Sequence, residues 1–237
     1  MNTLEEIALQ VRQCTGCQLS QGRANAVPGE GSAQAEVMFI GEAPGLNEDR
    51  SGRPFVGQAG QFLDDLLRSA GLDRKQVFIA NMIKCRPPQN RDPLPAEMAA
   101  CNGYLDRQIE LIDPKLIVTL GRFALGRFFP GESITRARGR VREKDGRNIY
   151  PIMHPAAALH RQENRAAIVN DFKGIPEILA RLNRSQPGTS PQLSPGHGVG
   201  QAVGQAFGQT TEQAPEQGTV PQPTASPEPR QLSLFTS

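Results

Sequence analysis

Val37-Met-Phe-Ile-Gly41-Glu42-Ala-Pro-Gly45 decides the fold. Its first four residues are apolar with no polar alternate, and the run is too short for a core helix. That is how a strand buried on both faces reads. A glycine and a Gly/Pro loop then stop it. Three more runs repeat the arrangement: Val77-Phe-Ile-Ala80 ahead of Asn81, Leu116-Ile-Val-Thr-Leu120 ahead of Gly121, and Ile149-Tyr-Pro-Ile-Met153 ahead of His154. Between the runs the apolar spacing becomes helical. Gln61–Ala70 carries Phe62, Leu63, Leu66 and Leu67 and stops at Gly71, Pro95–Ile112 carries Met98, Cys101, Leu105 and Ile109 in a stripe, and Gly121–Phe129 is shorter. A helix capped by Thr3 opens the chain and runs to Val11. Another closes it over Arg161–Leu182, with a break expected near Gly174 and Pro176. Gly41–Gly60 and Pro87–Pro95 read as loops.

Short strands alternating with helices predict an α/β domain with a central, mostly parallel four-stranded sheet covered on both faces. Such sheets place their sites at the carboxyl ends of the strands. Glu42, Asn81, Gly121 and His154 each stand at or just past a strand end. From Ser185 onward Pro, Gln, Gly, Ser and Thr dominate and Lys is absent. A segment of that composition cannot bury enough apolar surface to offset its ordering entropy. The expected organisation is therefore a folded domain over 1–184 and a disordered tail over 185–237. The net charge of +2 selects no class of partner. The start, Met1-Asn-Thr-Leu-Glu-Glu6, lacks an apolar leader, and no apolar run spans a bilayer, so the expected location is cytoplasmic with no membrane contact.

Four cysteines, Cys14, Cys17, Cys85 and Cys101, follow the spacing C-x2-C, a gap of 67 residues, then C-x15-C. Without a leader, disulfides are not expected, and four thiols with one tight pair point to a metal or cluster site. No histidine lies near any of them in sequence. Four thiolates suit zinc or iron–sulfur equally, and the spacing leaves that open. Cys101, in its helix stripe, also passes for core; Cys14 and Cys17, beside a glycine, do not.

Three segments at the strand ends carry a resemblance. They are Gly41-Glu-Ala-Pro-Gly45 with Gly52-Arg-Pro-Phe-Val-Gly57, then Asn81-Met-Ile-Lys-Cys-Arg-Pro-Pro-Gln-Asn-Arg91, then His154-Pro-Ala-Ala-Ala-Leu159. In this order, with the cysteines interleaved, the chain resembles the family 4 uracil-DNA glycosylases over roughly residues 10–182. The resemblance implies a three-layer glycosylase-like fold and removal of uracil from DNA. It also implies a 4Fe–4S cluster on Cys14, Cys17, Cys85 and Cys101. It implies that His154 donates to uracil O2, that Asn81 reads the base edge and that Phe55 stacks on the base. Glu42 resembles the motif glutamate, which could orient the attacking water, face the sugar cation or hold its loop. Position 43 is Ala where the better-known uracil glycosylases carry an Asp. Glu48 or Asp49 is expected to shape the pocket against the thymine methyl, and Asn90 matches a polar position of the family. The minor-groove wedge is expected near Leu159-His-Arg161.

The chemistry agrees with these roles. Breaking the N-glycosidic bond leaves a cationic sugar and an anionic base, so the site must hold the extruded base by face and edge and meet charge on O2. Basic residues crowd the stretch from Arg122 to Arg147, which includes Arg138 and Arg140, and Arg161 follows. A DNA-tracking surface is the reading of that stretch. At the end of the chain Gln231-Leu232-Ser-Leu234-Phe235 resembles the pentapeptide by which bacterial repair proteins bind the replication sliding clamp. A monomer is expected. The competing readings are a non-catalytic or product-trapping uracil-DNA binding protein and an iron–sulfur accessory protein of replication. Ile134-Thr-Arg-Ala-Arg138 lacks the histidine of the trapping group's basic insert.

Overall fold

Thr3 opens the first helix as expected: its Oγ1 accepts the Glu6 backbone N–H at 3.2 Å. The structure is a computed structural model and describes residues 3–185. In chain order the elements are α1 (Leu4–Gln13), α2 (Leu19–Gly22), β1 (Glu30–Gly31), β2 (Val37–Gly41), α3 (Leu46–Ser51), α4 (Gln58–Ser69) and β3 (Phe78–Asn81). A 3-10 turn over Pro88–Asn90 follows, then α5 (Pro95–Ile112), β4 (Leu116–Leu120), α6 (Arg122–Phe128), α7 (Ile134–Ala137), β5 (Arg142–Lys144) and β6 (Arg147–Ile152). The described chain ends with α8 (Ala156–His160), α9 (Gln162–Lys173) and α10 (Ile175–Ser185).

The four apolar runs form the parallel centre of the sheet, in the order β3-β2-β4-β6. The sheet has six strands, however, not four. β1 pairs antiparallel with β3 at one edge and β5 antiparallel with β6 at the other. Both are short and polar, so neither carries an apolar run to announce it. Within the parallel part the chain starts at β2, steps outward to β3, then crosses back over β2 to β4. Such a reversal opens a crevice at the carboxyl ends of the strands.

Alternation along each strand feeds two cores. Phe39, Ile79, Val118 and Ile152 meet Leu63, Leu66 and Leu67 of α4 with Ile168 and Phe172 of α9 on one face. Phe39 and Phe172 stack with ring centroids 5.6 Å apart. Met38, Ile40, Ala80 and Ile117 meet Leu105, Ile109 and Ile112 of α5 on the other. Each fully buried side chain of this size contributes about 1.5–3 kcal/mol. The result is helix–sheet–helix layering. A third, smaller cluster joins Ile7 and Val11 of α1 to Ile83, Cys85 and Cys101.

Two local expectations change. The loop read over Gly41–Gly60 contains α3, whose first turn is closed by Glu48 reaching back to the Gly45 N–H at 3.1 Å. Gly52, at φ +69°, ends it. The helix expected from Gln61 starts at Gln58. The closing helix does break at Gly174, into α9 and α10. No helix among the described residues is long and apolar enough to cross a membrane.

Candidate active site

Glu42 follows β2, Asn81 ends β3, His154 follows β6, and Phe55 sits between α3 and α4. The crevice at the strand ends brings all four into the lining of one cavity of about 310 Å³, although they are spread over more than a hundred positions of sequence. Glu48 and Asn90 line it too, and so do Arg91, Pro87 and Ala156, which sequence reasoning did not single out as site residues. Gly41 makes the convergence possible. A Cβ there would lie 2.3 Å from Asn81 Oδ1 and 2.7 Å from the Phe55 ring.

Asn81 is 2 % exposed, and its Oδ1 has no hydrogen-bond partner among the described residues. A buried acceptor left alone costs about 1–3 kcal/mol. The Asn81 backbone carbonyl, by contrast, is held: the buried Lys84 donates its Nζ to it at 2.9 Å and to Gln108 Oε1 at 2.7 Å. Burial draws the Lys84 pKa down to about 8.

His154 Nδ1 accepts the backbone N–H of Ala156 at 3.2 Å, so the imidazole caps the start of α8. That bond fixes the neutral tautomer with its proton on Nε2. Burial pushes the His154 pKa down to about 4, against the pull of Glu48, so the ring is neutral at ordinary pH. The Phe55 ring stacks on it, with centroids 5.6 Å apart and planes 28° from parallel. Desolvation raises the Glu42 pKa above the usual carboxylate range, with Asp92 adding and Arg122 opposing.

Glu48 laces the surrounding loops rather than pointing a free charge inward. Its Oε2 accepts from Gly45 N–H, and its Oε1 accepts from the Val56 and Gly57 N–H groups at 2.8 Å each. Asn90 Oδ1 accepts from Arg86 Nε at 2.7 Å. Arg91 makes a bidentate pair with Glu97.

The four cysteines line a separate narrow cavity with Arg23 and Tyr104. Three of the sulfurs receive N–H groups: Cys85 from Arg23 Nη1 at 3.0 Å, Cys101 from the Lys84 backbone and Cys14 from the Gly16 backbone, both at 3.4 Å. Burial pushes the Cys101 thiol up to about 11 and raises Cys85 as well. Among the described residues no three His, Cys, Asp or Glu side chains close on a point as a single metal ion requires.

The basic stretch is largely spoken for. Arg122 pairs with Asp92, Arg127 with Asp106, Arg142 with Glu132 and Arg147 with Asp113. Arg138 turns inward, with Nε on Asp171 Oδ2 at 2.9 Å and Nη2 on the Ala167 carbonyl at 2.7 Å. Arg140 and Arg161 are exposed, the latter 3.9 Å from Glu163. None of these arginines lines the cavity. Gln231, Leu232, Leu234 and Phe235 lie outside the described residues.

Residues 28–173 match the uracil DNA glycosylase superfamily. A type-4 uracil-DNA glycosylase of Sulfurisphaera tokodaii is 51% identical over 189 residues, covering 75% of this chain and 86% of the relative. One from Archaeoglobus fulgidus is 44% identical over 190 residues, covering 76% and 96%. A type-5 uracil-DNA glycosylase of Thermus thermophilus is 37% identical over 117 residues, covering 43% and 53%.

Proposed function

The chain belongs to the uracil DNA glycosylase superfamily, and within it to the type-4 enzymes; on that premise we propose that it hydrolyses the N-glycosidic bond of a uracil extruded from DNA into the cavity bounded by Glu42, Phe55, Asn81 and His154. One observation carries the assignment of the pocket: Asn81, whose buried Oδ1 has no partner among the described residues, lines the same cavity as a neutral His154 and the ring of Phe55.

Extruding the base costs a few kcal/mol, and the pocket offsets it. Phe55 stacks on the face of the base, worth about 1–3 kcal/mol. Asn81 Oδ1 accepts from uracil N3–H while its amide N–H donates to O4. Cytosine offers the reverse pattern at both positions and leaves the orphaned oxygen unsatisfied. As the C1′–N1 bond breaks, its electron pair passes to the base and charge gathers on O2. His154 Nε2–H donates to that oxygen from a ring already neutral and held by the Ala156 N–H. Glu42 serves the sugar side: ionised, it orients the attacking water and faces the developing cation. Water adds to C1′ and releases a proton to solvent, and uracil leaves as an anion that solvent protonates. Glu48 acts through the backbone, stiffening the Gly45–Gly57 wall against a 5-methyl group. Asn90 and Arg91 border the mouth.

Cys14, Cys17, Cys85 and Cys101 would hold a 4Fe–4S cluster. Four thiols lining one cavity, with N–H groups on three of the sulfurs, fit the cluster that membership of the type-4 family implies. When bound, the cluster supplies a cross-link between the segment after α1 and the one from Cys85 to Cys101; hydrolysis moves no electrons. Arg140 and Arg161 are the exposed candidates for phosphate contact. Residues 1–184 form the catalytic domain, acting as a monomer in the cytoplasm on the nucleoid, and the tail over 185–237 carries Gln231–Phe235 to the sliding clamp.

The test is a labelled uracil-containing oligonucleotide, without Mg²⁺, followed by alkali. Many alkali-labile sites per protein molecule are expected. A stoichiometric complex, or no reaction, refutes the assignment.

A further inference from the structure

Phe55 does not keep its place by its own backbone preference. Its φ is +50°, in the left-handed region that a residue other than glycine adopts only when its surroundings impose it. On one side Gly60 presses against its carbonyl, where a Cβ would come within 2.0 Å. On the other side stands Arg74, in the turn between α4 and β3. Its Nη2 donates to the Pro54 carbonyl at 2.6 Å and its Nη1 to the Phe55 carbonyl at 3.3 Å.

The guanidinium is itself fixed. Nη1 also donates to Asp64 Oδ1 at 2.7 Å, and Nε to Glu30 Oε1 at 3.1 Å. Glu30 is braced in turn by Arg53, through both carboxylate oxygens. One rigid fork thus ties β1 and α4 to the two peptide carbonyls that precede and carry the ring. Its side chain is 19 % exposed, so water competes little for these bonds.

We propose that Arg74 is a positioning residue for Phe55: by gripping the Pro54 and Phe55 carbonyls it sets the aromatic wall against which the extruded base stacks. This rests on the reading of Phe55 as that wall. A role limited to charge pairing has a different consequence. Lysine would keep a positive charge between Glu30 and Asp64, but an ammonium cannot span two carbonyls and two carboxylates as a planar fork does.

The experiment measures kcat/KM on a uracil oligonucleotide and the thermal midpoint for the full chain. The variants are Arg74→Met, Arg74→Lys, Phe55→Ala and the double variant Arg74→Met with Phe55→Ala. Arg74→Met should lower kcat/KM about tenfold, a part of what stacking on the base is worth. Arg74→Lys should recover most of the thermal midpoint and less than about threefold of the activity. On the Phe55→Ala background, Arg74→Met should remove a further factor below about three, because the wall it sets is already gone. An Arg74→Met loss that persists in full on that background overturns the positioning role, as does a lysine that restores activity along with stability. Phe55→Ala with undiminished activity overturns the stacking reading and the inference with it. Should Arg74→Met not fold, Arg74→Lys runs the same cycle against Phe55→Ala, and full additivity there overturns the proposal.

Discussion

Replacing Asn81 with leucine, an apolar side chain of the same branching, should cut activity steeply and leave the fold at least as stable. In the free protein the side chain is 2 % exposed and its Oδ1 stands without a partner. Leucine removes that orphan and the penalty of about 1–3 kcal/mol that goes with it. For a domain of this size each kcal/mol moves the thermal midpoint by about 2–4 °C, so the variant should melt at or above the native temperature. With substrate bound the sign reverses. Uracil N3–H and O4 would both face hydrocarbon, each left unsatisfied at about 1–3 kcal/mol. The sum of about 2–6 kcal/mol is a loss of about 30-fold to 10⁴-fold in transition-state stabilisation. Single-turnover cleavage of a labelled uracil oligonucleotide measures it, with a thermal melt in parallel. A variant that cleaves within about threefold of the native rate would show that Asn81 does not read the base. A melt lowered by several degrees would show that its oxygen is satisfied in the free protein.

With Glu42 in its proposed ionised role and its pKa raised by burial, kcat/KM should fall toward acid pH sooner than a solvent-exposed glutamate would allow; Glu42→Gln should lose most of the activity and that acid limb with it. Burial lowers the His154 pKa to about 4, so the unfolded chain binds the extra proton first. Its contribution to stability is therefore whole above about pH 6.5 and declines as pH falls toward 4, which melts across that range would record and His154→Gln would flatten. Cys101→Ala should lose iron, the broad absorbance of a cluster and thermal stability together; a variant that keeps all of its iron and activity would refute the cross-linking role. Deleting residues 231–237 should abolish binding to the sliding clamp and leave turnover on short oligonucleotides unchanged; loss of both would assign the tail another task.

The parallel strands were legible because burial on both faces leaves an uninterrupted apolar run, as in Val37–Ile40 and Leu116–Leu120. β1 was not, because Glu30-Gly31 becomes a strand only by pairing with β3 far along the chain; β5, Arg142-Glu-Lys144, is one arm of a hairpin with β6 across Asp145-Gly146, and that turn, not an apolar run, is the signal that marks it. α3 was hidden for a related reason: its start is set by a side chain, Glu48, reaching back to the Gly45 N–H inside a stretch that glycine and proline mark as loop. The convergence of Glu42, Phe55, Asn81 and His154 could be anticipated from their places near strand ends and in the motif loops. Arg74 could not, since its partners Glu30 and Asp64 are remote in sequence and no local pattern reports them. The basic stretch shows a different limit. Counting charges within a window shows Arg122, Arg127 and Arg147 but not Asp92, Asp106 and Asp113, which arrive from elsewhere and pair with them.

The charges around the cavity explain how it can stand ready without substrate. Glycosidic cleavage separates a positive sugar from a negative base, and a pocket that met the anion with a full positive charge would have to bury that charge in the free enzyme. His154 is neutral and Asn81 is an amide, so the base side offers oriented dipoles that need no counterion. Glu42, on the sugar side in the proposed assignment, is a group for which burial is uncomfortable, and its raised pKa is the sign of it. On that assignment the developing cation would relieve the discomfort, so the interaction of Glu42 with the sugar would be stronger in the transition state than in the ground state, which is what would accelerate the bond-breaking step. Because the buried dipoles and carboxylate are shielded from mobile ions, added salt should weaken DNA capture through the exposed arginines while leaving the single-turnover rate at saturating enzyme nearly unchanged. A saturated rate that fell as steeply with salt as binding does would place the decisive charges on the surface instead of in the pocket.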